Sequence, residues 1–291
     1  MEKVAFHVET TRMVGDIYAP HGPGKFPAVA IVGPMTYQKE QSPSEYAIRL
    51  AKMGFVALAY DSRYRGESGG EPRAWENPFH KVADLKAAIA FLKSRSEVDE
   101  DRVSILAICQ GSSIALRAAA ELNGVRALAT LAGHYRDIEG DIEWLTQDGY
   151  VARKVQGEKA KAKFEETGEV DYIRAIDQTN SDVGMPGYFV WEWYKPWANR
   201  GLWTDLYAVM SDADLLNFES ISAAKSLTTP WLMMHGDNCF LPSAARRHME
   251  AVPRSTKTKS LWNDTPHLDY YDLEDTLDRA ANEAAQWFRS A

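Results

Sequence analysis

Cys109 sits in the stretch LAICQGSSIAL, Leu106 to Leu116, with Ala107 two residues before it and Gly111 two after. The apolar run VSILAI (Val103 to Ile108) leads into the cysteine, and a helical pattern, Ser112 to Leu122, follows it. Small residues flanking a nucleophile are what a tight strand-to-helix bend requires, because bulkier ones would strike the neighbouring strand and helix. The start of the following helix turns unpaired N–H groups toward the sulfur, which favours thiolate. The N–H of Gln110 then points to where an oxyanion would form. A packed structural cysteine is the plainer alternative, since cysteine is among the most buried residue types. Ser112 and Ser113 are rival nucleophiles, but they fall inside the helix and aim away from the strand tip.

A nucleophile of this kind needs a base, and the base needs an orienting acid. Of seven histidines, His267 in NDTPHLDYYD follows a predicted final strand, Lys259 to Trp262, and precedes the last helix. That places it at the carboxyl edge of the sheet, as for Cys109. His134 follows the next strand after the nucleophile and could also face the site. His7, His21 and His80 lie upstream on surface elements, His235 shapes a turn, and His248 lies on a helix. Asp237, after the strand PWLMMHG, is the expected acid, with Asp264, Asp269 and Asp272 as second choices close to His267. The second oxyanion donor should come from VGPMTYQKEQ, Val32 to Gln41. Pro34 has no N–H to give, so Met35 is the candidate. Cys239 completes no CxxC or HxxxH pattern, so no metal site and no cofactor are expected.

Positioning these residues requires a sheet. PAVAIVG (27–33), FVALAY (55–60), VSILAI (103–108), VRALATLAG (125–133) and PWLMMHG (230–236) are continuous apolar runs, as in parallel strands buried on both faces. Helical patterns at Pro43 to Met53, Phe79 to Leu92, Ser112 to Leu122 and Leu273 to Phe288 separate or follow them. Strands alternating with helices predict an α/β fold with a mostly parallel, doubly wound sheet, preceded by a hairpin from Val4 to Tyr18. The alternation stops between about Tyr135 and Phe218, a stretch too long for a simple connection. Residues 1–134 and 218–291 are therefore assigned to the core and 135–217 to an inserted, mainly helical cap. The cap is rich in aromatics. Tyr188, Trp191, Trp193 and Trp197 are expected to line an apolar substrate pocket, or to glue the cap to the core.

The chain has 291 residues, 45% hydrophobic and 25% charged, with a formal net charge of −8. The acidic balance argues against nucleic acid or an anionic membrane as partner. No apolar run approaches the roughly 18 residues that span a bilayer. The first residues, MEKVAFHVETTRM, contain no apolar signal core. With only two cysteines, a reducing cytoplasm is the expected compartment.

These pieces together resemble the α/β-hydrolase superfamily, over about Ala28 to Gly133 and Thr229 to Ser290. Cys109, Asp237 and His267 match its nucleophile, acid and base in chain order. The cysteine looks like that of dienelactone hydrolase. The segments GPMTYQKEQ, DSRYRGESGGEPR and HLDYYD, with TGEVDY and MPGYF in the cap, look more like acetyl-xylan-esterase-like and polyketide-transferase-like hydrolases. The elbow departs from the usual pattern at Ala107 and Ser112, and carries Cys where Ser is usual. The resemblance implies an acyl-transfer or hydrolytic enzyme with a Cys-His-Asp triad. Its partner would be a small-molecule acyl substrate, apolar or polyketide-like, free or bound to a carrier or CoA, and a homodimer is left open. Opening of a small lactone, and a non-catalytic ligand receptor on the same fold, remain as alternatives.

Overall fold

The computed structural model describes residues 1–291. The opening hairpin is β1 (Glu2–Val8) and β2 (Thr11–Tyr18), paired antiparallel from Glu2↔Ile17 to Val8↔Thr11. There follow β3 (Phe26–Val32), α1 (Ser42–Lys52), β4 (Val56–Tyr60), α2 (Pro78–Ser94), β5 (Val98–Ile108), α3 (Gly111–Glu121) and β6 (Leu128–Leu131). The chain then leaves the sheet as α4 (Ile138–Leu145), α5 (Gln147–Thr167), β7 (Tyr172–Ile173), α6 (Tyr188–Asn199), β8 (Tyr207–Ala208), α7 (Ser211–Leu215) and α8 (Ile221–Ser226). It returns as β9 (Trp231–His235), α9 (Pro242–Ala251), β10 (Thr258–Trp262), α10 (Asp269–Asp272) and α11 (Glu274–Ser290).

The main sheet has eight strands in the order β1-β2-β4-β3-β5-β6-β9-β10. From β4 to β10 every neighbouring pair is parallel. Alternate residues of each inner strand feed opposite cores. Ala28, Ala30 and Val32 join Ile105 and Ala107 under α2 and α3, while Val29 and Ile31 join Leu106 and Ile108 under α1 and α11. The two cores hold 37 and 36 buried residues, so neither face of the sheet is left to solvent. That is why the strand sequences are apolar throughout instead of alternating.

The expected strands and helices are present with shifted ends. β6 is shorter than the apolar run 125–133 at both ends, and its last residue, Leu131, is followed by Ala132 with φ 42°. β5 begins earlier than Val103, at Val98, through pairing of Phe26 with Val98 before a register shift. The charged segment Glu158 to Glu166 is only the end of α5. That helix starts at Gln147 behind Thr146, whose hydroxyl accepts the N–H of Gly149 at 3.2 Å. Within α5, Gly157 lies against α7, where a Cβ would come 2.5 Å from the Ala213 nitrogen. No helix is long and apolar enough to cross a membrane.

Candidate active site at the carboxyl edge of the sheet

β5 ends at Ile108, and Cys109 takes φ 51°, a strained value for a residue with a Cβ. The bend is closed by hydrogen bonds. The N–H of Cys109 donates to Leu131 O at 3.1 Å, and its carbonyl accepts from Ser112 and His134 N–H, each at 2.9 Å. Gly111 is required two residues on, since a Cβ there would lie 2.5 Å from Val32 O and 2.7 Å from Gly33 O.

Three groups near Cys109 favour its thiolate form: the Tyr271 hydroxyl and the backbone N–H groups of Gln110 and Met35. Burial outweighs them and pushes the thiol above its ordinary value. Met35 is held from behind. Its carbonyl accepts the Tyr194 hydroxyl at 2.7 Å, and the next residue, Thr36, gives its N–H to Glu76 Oε1 at 3.1 Å and receives Trp203 Nε1 on its carbonyl at 2.9 Å. Met35 and Gln110, the residues expected to supply oxyanion donors, thus both lie near Cys109.

His267 is brought there as well, through Tyr271. Its Nε2 lies 3.1 Å from the Tyr271 hydroxyl, and its Nδ1 accepts the backbone N–H of Phe240 at 3.1 Å. An Nδ1 that accepts carries no proton, so the neutral ring is protonated at Nε2 and donates to Tyr271. Tyr271 in turn lies close enough to Cys109 to favour its thiolate. Burial holds the His267 pKa down to about 3, with repulsion from His235 adding to the effect.

Asp237 is not brought to this ring. Its carboxylate is exposed, accepting Arg246 Nη2 at 2.6 Å and Trp262 Nε1 at 3.2 Å. The Arg246 bond holds its pKa below the usual carboxylate range. The segment that touches His267 carries Cys239 instead, between Asn238, whose carbonyl accepts the His267 N–H at 3.3 Å, and Phe240. Cys239 is buried, its thiol pushed up to about 12 by desolvation, and it donates to Thr265 O at 3.6 Å. The second-choice acids do not replace Asp237: Asp272 accepts Trp193 Nε1 at 2.8 Å, and neither Asp264 nor Asp269 hydrogen-bonds the imidazole. The expected acid–base pair is therefore absent from the geometry, because Arg246 and Trp262 hold the carboxylate outward.

Cys109, His267 and Tyr271 open on a narrow apolar cavity of about 60 Å³, whose wall includes Met35, His134, Phe189, Val190 and Leu268. The four expected aromatics do not line it. Tyr188 is exposed and packs on Trp191, with ring centroids 5.7 Å apart. Trp197 carries the Arg200 guanidinium at 4.0 Å, and Trp193 stands edge-on behind Tyr271 at 5.0 Å. α6 turns Phe189, Val190 and Tyr194 to the cavity instead. Trp193 thus braces a site residue from outside the cavity. Tyr271 was not singled out in the sequence. The one available signal is its place four residues after His267, which on a helical turn brings two side chains together.

Glu40, Asp61 and Glu67 lie close enough to hold a cation, but Lys39 Nζ already sits among them, 3.3 Å from Asp61 and 2.6 Å from Glu67. Burial raises the Asp61 pKa to about 6 despite that ammonium.

Comparison with known proteins agrees with this architecture. The model of the Dienelactone hydrolase family matches residues 13–157, which include the elbow. The uncharacterized protein YcjY of Escherichia coli (strain K12) is 39% identical over 108 residues, 37% of this chain and 35% of that protein. The polyketide transferase claH of Penicillium crustosum is 32% identical over 122 residues, 41% of this chain and 40% of that one. A thiohydrolase of Eupenicillium brefeldianum is 37% identical over 94 residues, 32% of this chain and 30% of that one. These matches thus span only about a third of the curated relatives' length. Among solved structures, hypothetical protein PA2218 from Pseudomonas aeruginosa superposes with a TM-score of 0.84 at 24% identity, over 99% of this chain and 92% of that one. The α/β hydrolase GrgF from Penicillium sp. sh18 gives 0.80 at 18%, over 99% and 97%. With the sheet order, the strained Cys109 bend and the histidine loop at the same edge, these likenesses give the chain the α/β-hydrolase fold, with the Dienelactone hydrolase family matched over residues 13–157.

Proposed function

We propose that the protein is a hydrolase or acyltransferase that forms an acyl-cysteine at Cys109, acting on a thioester of an apolar acyl group, with residues 135–217 serving as a cap over the site. One observation carries the reading: Cys109, at a strained strand-to-helix bend, opens on an apolar cavity together with Met35, His267 and Tyr271. After the Cys109 thiol loses its proton to solvent, the thiolate attacks the acyl carbon, and the carbonyl electrons move to an oxygen received by the two backbone N–H groups. Collapse expels the leaving group, and the acyl-cysteine passes to water or an acceptor nucleophile. The names of claH and the Eupenicillium thiohydrolase support acyl and thioester chemistry.

The histidine narrows the leaving group. With Nε2 protonated and no carboxylate behind the ring, strong base or acid assistance is unavailable in this arrangement. A departing thiolate needs no proton in the transition state, whereas an alkoxide does. Thioesters should therefore react at least ~100-fold faster than matched oxygen esters, the size of one general acid-base contribution. Steady-state rates on N-acetylcysteamine thioesters and the matching ethyl esters test this, with Cys109→Ala as the blank. Equal rates, or turnover surviving in Cys109→Ala, would remove the reading. Opening of a small lactone is the second reading, favoured by the cavity of about 60 Å³.

A further inference from the structure

The cavity walls are apolar, and most of their polar atoms are already engaged. The Tyr194 hydroxyl is spent on Met35 O, His267 and Tyr271 on each other, and His267 Nδ1 on the Phe240 N–H. His134 is different. It is 4% exposed, its ring lines the cavity, and its Nε2 is buried with no hydrogen-bond partner. A buried polar atom left unpaired costs free energy, so a native structure that keeps one calls for an explanation.

The ring is also held in place. The His134 N–H donates to Cys109 O at 2.9 Å, and its carbonyl accepts the Ser113 hydroxyl at 2.8 Å. Its faces and edges meet Trp144 and Phe240 edge-on, with centroids 5.8 and 4.9 Å away. Backbone and ring are therefore preset before any ligand arrives, and tied to the nucleophile's own carbonyl.

We propose that His134 recognises an oxygen substituent, hydroxyl or keto, on the acyl chain beyond the reacting carbonyl, so that the preferred substrates are oxygenated acyl groups and not plain hydrocarbon ones. This rests on the reading of the cavity as an acyl site. Burial, with Arg136 and His267 adding repulsion, keeps the imidazole neutral, so it holds one N–H and one lone pair. A neutral ring can donate to a keto oxygen or accept from a hydroxyl, according to tautomer.

Binding of unreactive amides tests this apart from catalysis. Octanamide is compared with 3-oxo-, 3-hydroxy- and 5-hydroxyoctanamide by calorimetry on the wild type, Cys109→Ala, His134→Phe and His134→Gln. At least one oxygenated amide should bind wild type and Cys109→Ala about tenfold more tightly than octanamide, the worth of one hydrogen bond. The preference should vanish in His134→Phe and survive in part in His134→Gln, which keeps a donor and an acceptor. A preference intact in His134→Phe, no preference in the wild type, or no binding by any of the four amides overturns the proposal. If His134→Phe does not fold, full retention of the preference in a fully folded His134→Ala overturns it equally. A preference that persists while no acyl-cysteine forms would sink the function proposed above and leave this inference standing.

Discussion

The backbone N–H of Phe240 donates to Nδ1 of His267 at 3.1 Å, which fixes the imidazole proton on Nε2. From there a hydrogen bond runs from His267 to Tyr271, whose hydroxyl favours the thiolate of nearby Cys109. Burial raises the Cys109 pKa, so its side chain rests as a neutral thiol and not as half of a thiolate–imidazolium pair. Its pKa is raised, so the thiolate fraction should grow tenfold per pH unit below it. Iodoacetamide alkylation of Cys109 should rise with unit logarithmic slope from pH 6 to 9, read by mass spectrometry. A rate flat from pH 5 to 8 would indicate the ion pair instead.

Tyr271→Phe removes one of the three groups that favour the Cys109 thiolate and leaves the His267 Nε2–H without its partner. Alkylation at pH 8 should fall by about tenfold, as expected for a lost hydrogen bond to a charged acceptor. Denaturant unfolding should show a stability loss of about 1–3 kcal/mol from the orphaned ring N–H. An unchanged alkylation rate would mean that the hydroxyl does not matter to the sulfur.

Asp237→Asn separates this site from a triad. Removing a triad acid costs on the order of 10⁴ in rate. Here the carboxylate is exposed and bonded to Arg246 and Trp262, so acylation of Cys109 should change by less than about threefold, within the small worth of exposed ion pairs. Stopped-flow acylation would measure it, and a thousandfold loss would place Asp237 back behind His267.

The strands were legible because parallel strands covered on both faces must be apolar at every position, as in PAVAIVG and VSILAI. The bend was legible because Ala107 and Gly111 leave room that Val32 O and Gly33 O then fill. Asp237 misled because its place after β9 does not say which way a loop side chain points. Arg246, on α9, and Trp262, on β10, decide that, from 9 and 25 residues further along the chain. The aromatics of α6 misled for a related reason. A helix with large apolar residues on several sides does not reveal which side meets the core, and Phe189, Val190 and Tyr194 were turned inward. Tyr271 reads as packing until its hydroxyl is seen between an imidazole and a thiol.

The buried imidazole also makes acid costly. The His267 pKa is lowered to about 3 from its ordinary 6.5, so the unfolded chain takes up a proton that the native one refuses. Its contribution is complete above pH 6.5 and is lost as pH falls toward 3. His267→Gln should therefore flatten the dependence of unfolding free energy on pH between 6 and 4 by about 1.4 kcal/mol per pH unit. Urea titrations at three pH values would show it. An acid limb as steep in the variant as in the wild type would mean that His267 is not held neutral.

The most direct test of the account is intact mass spectrometry of the wild-type protein mixed with acyl N-acetylcysteamine thioesters, with Cys109→Ala alongside. The account predicts a transient mass increase equal to the acyl group, mapped to Cys109 by peptide analysis and absent from the variant. Turnover of those thioesters with no adduct at any quenching time, or an adduct of equal yield in Cys109→Ala, would contradict it.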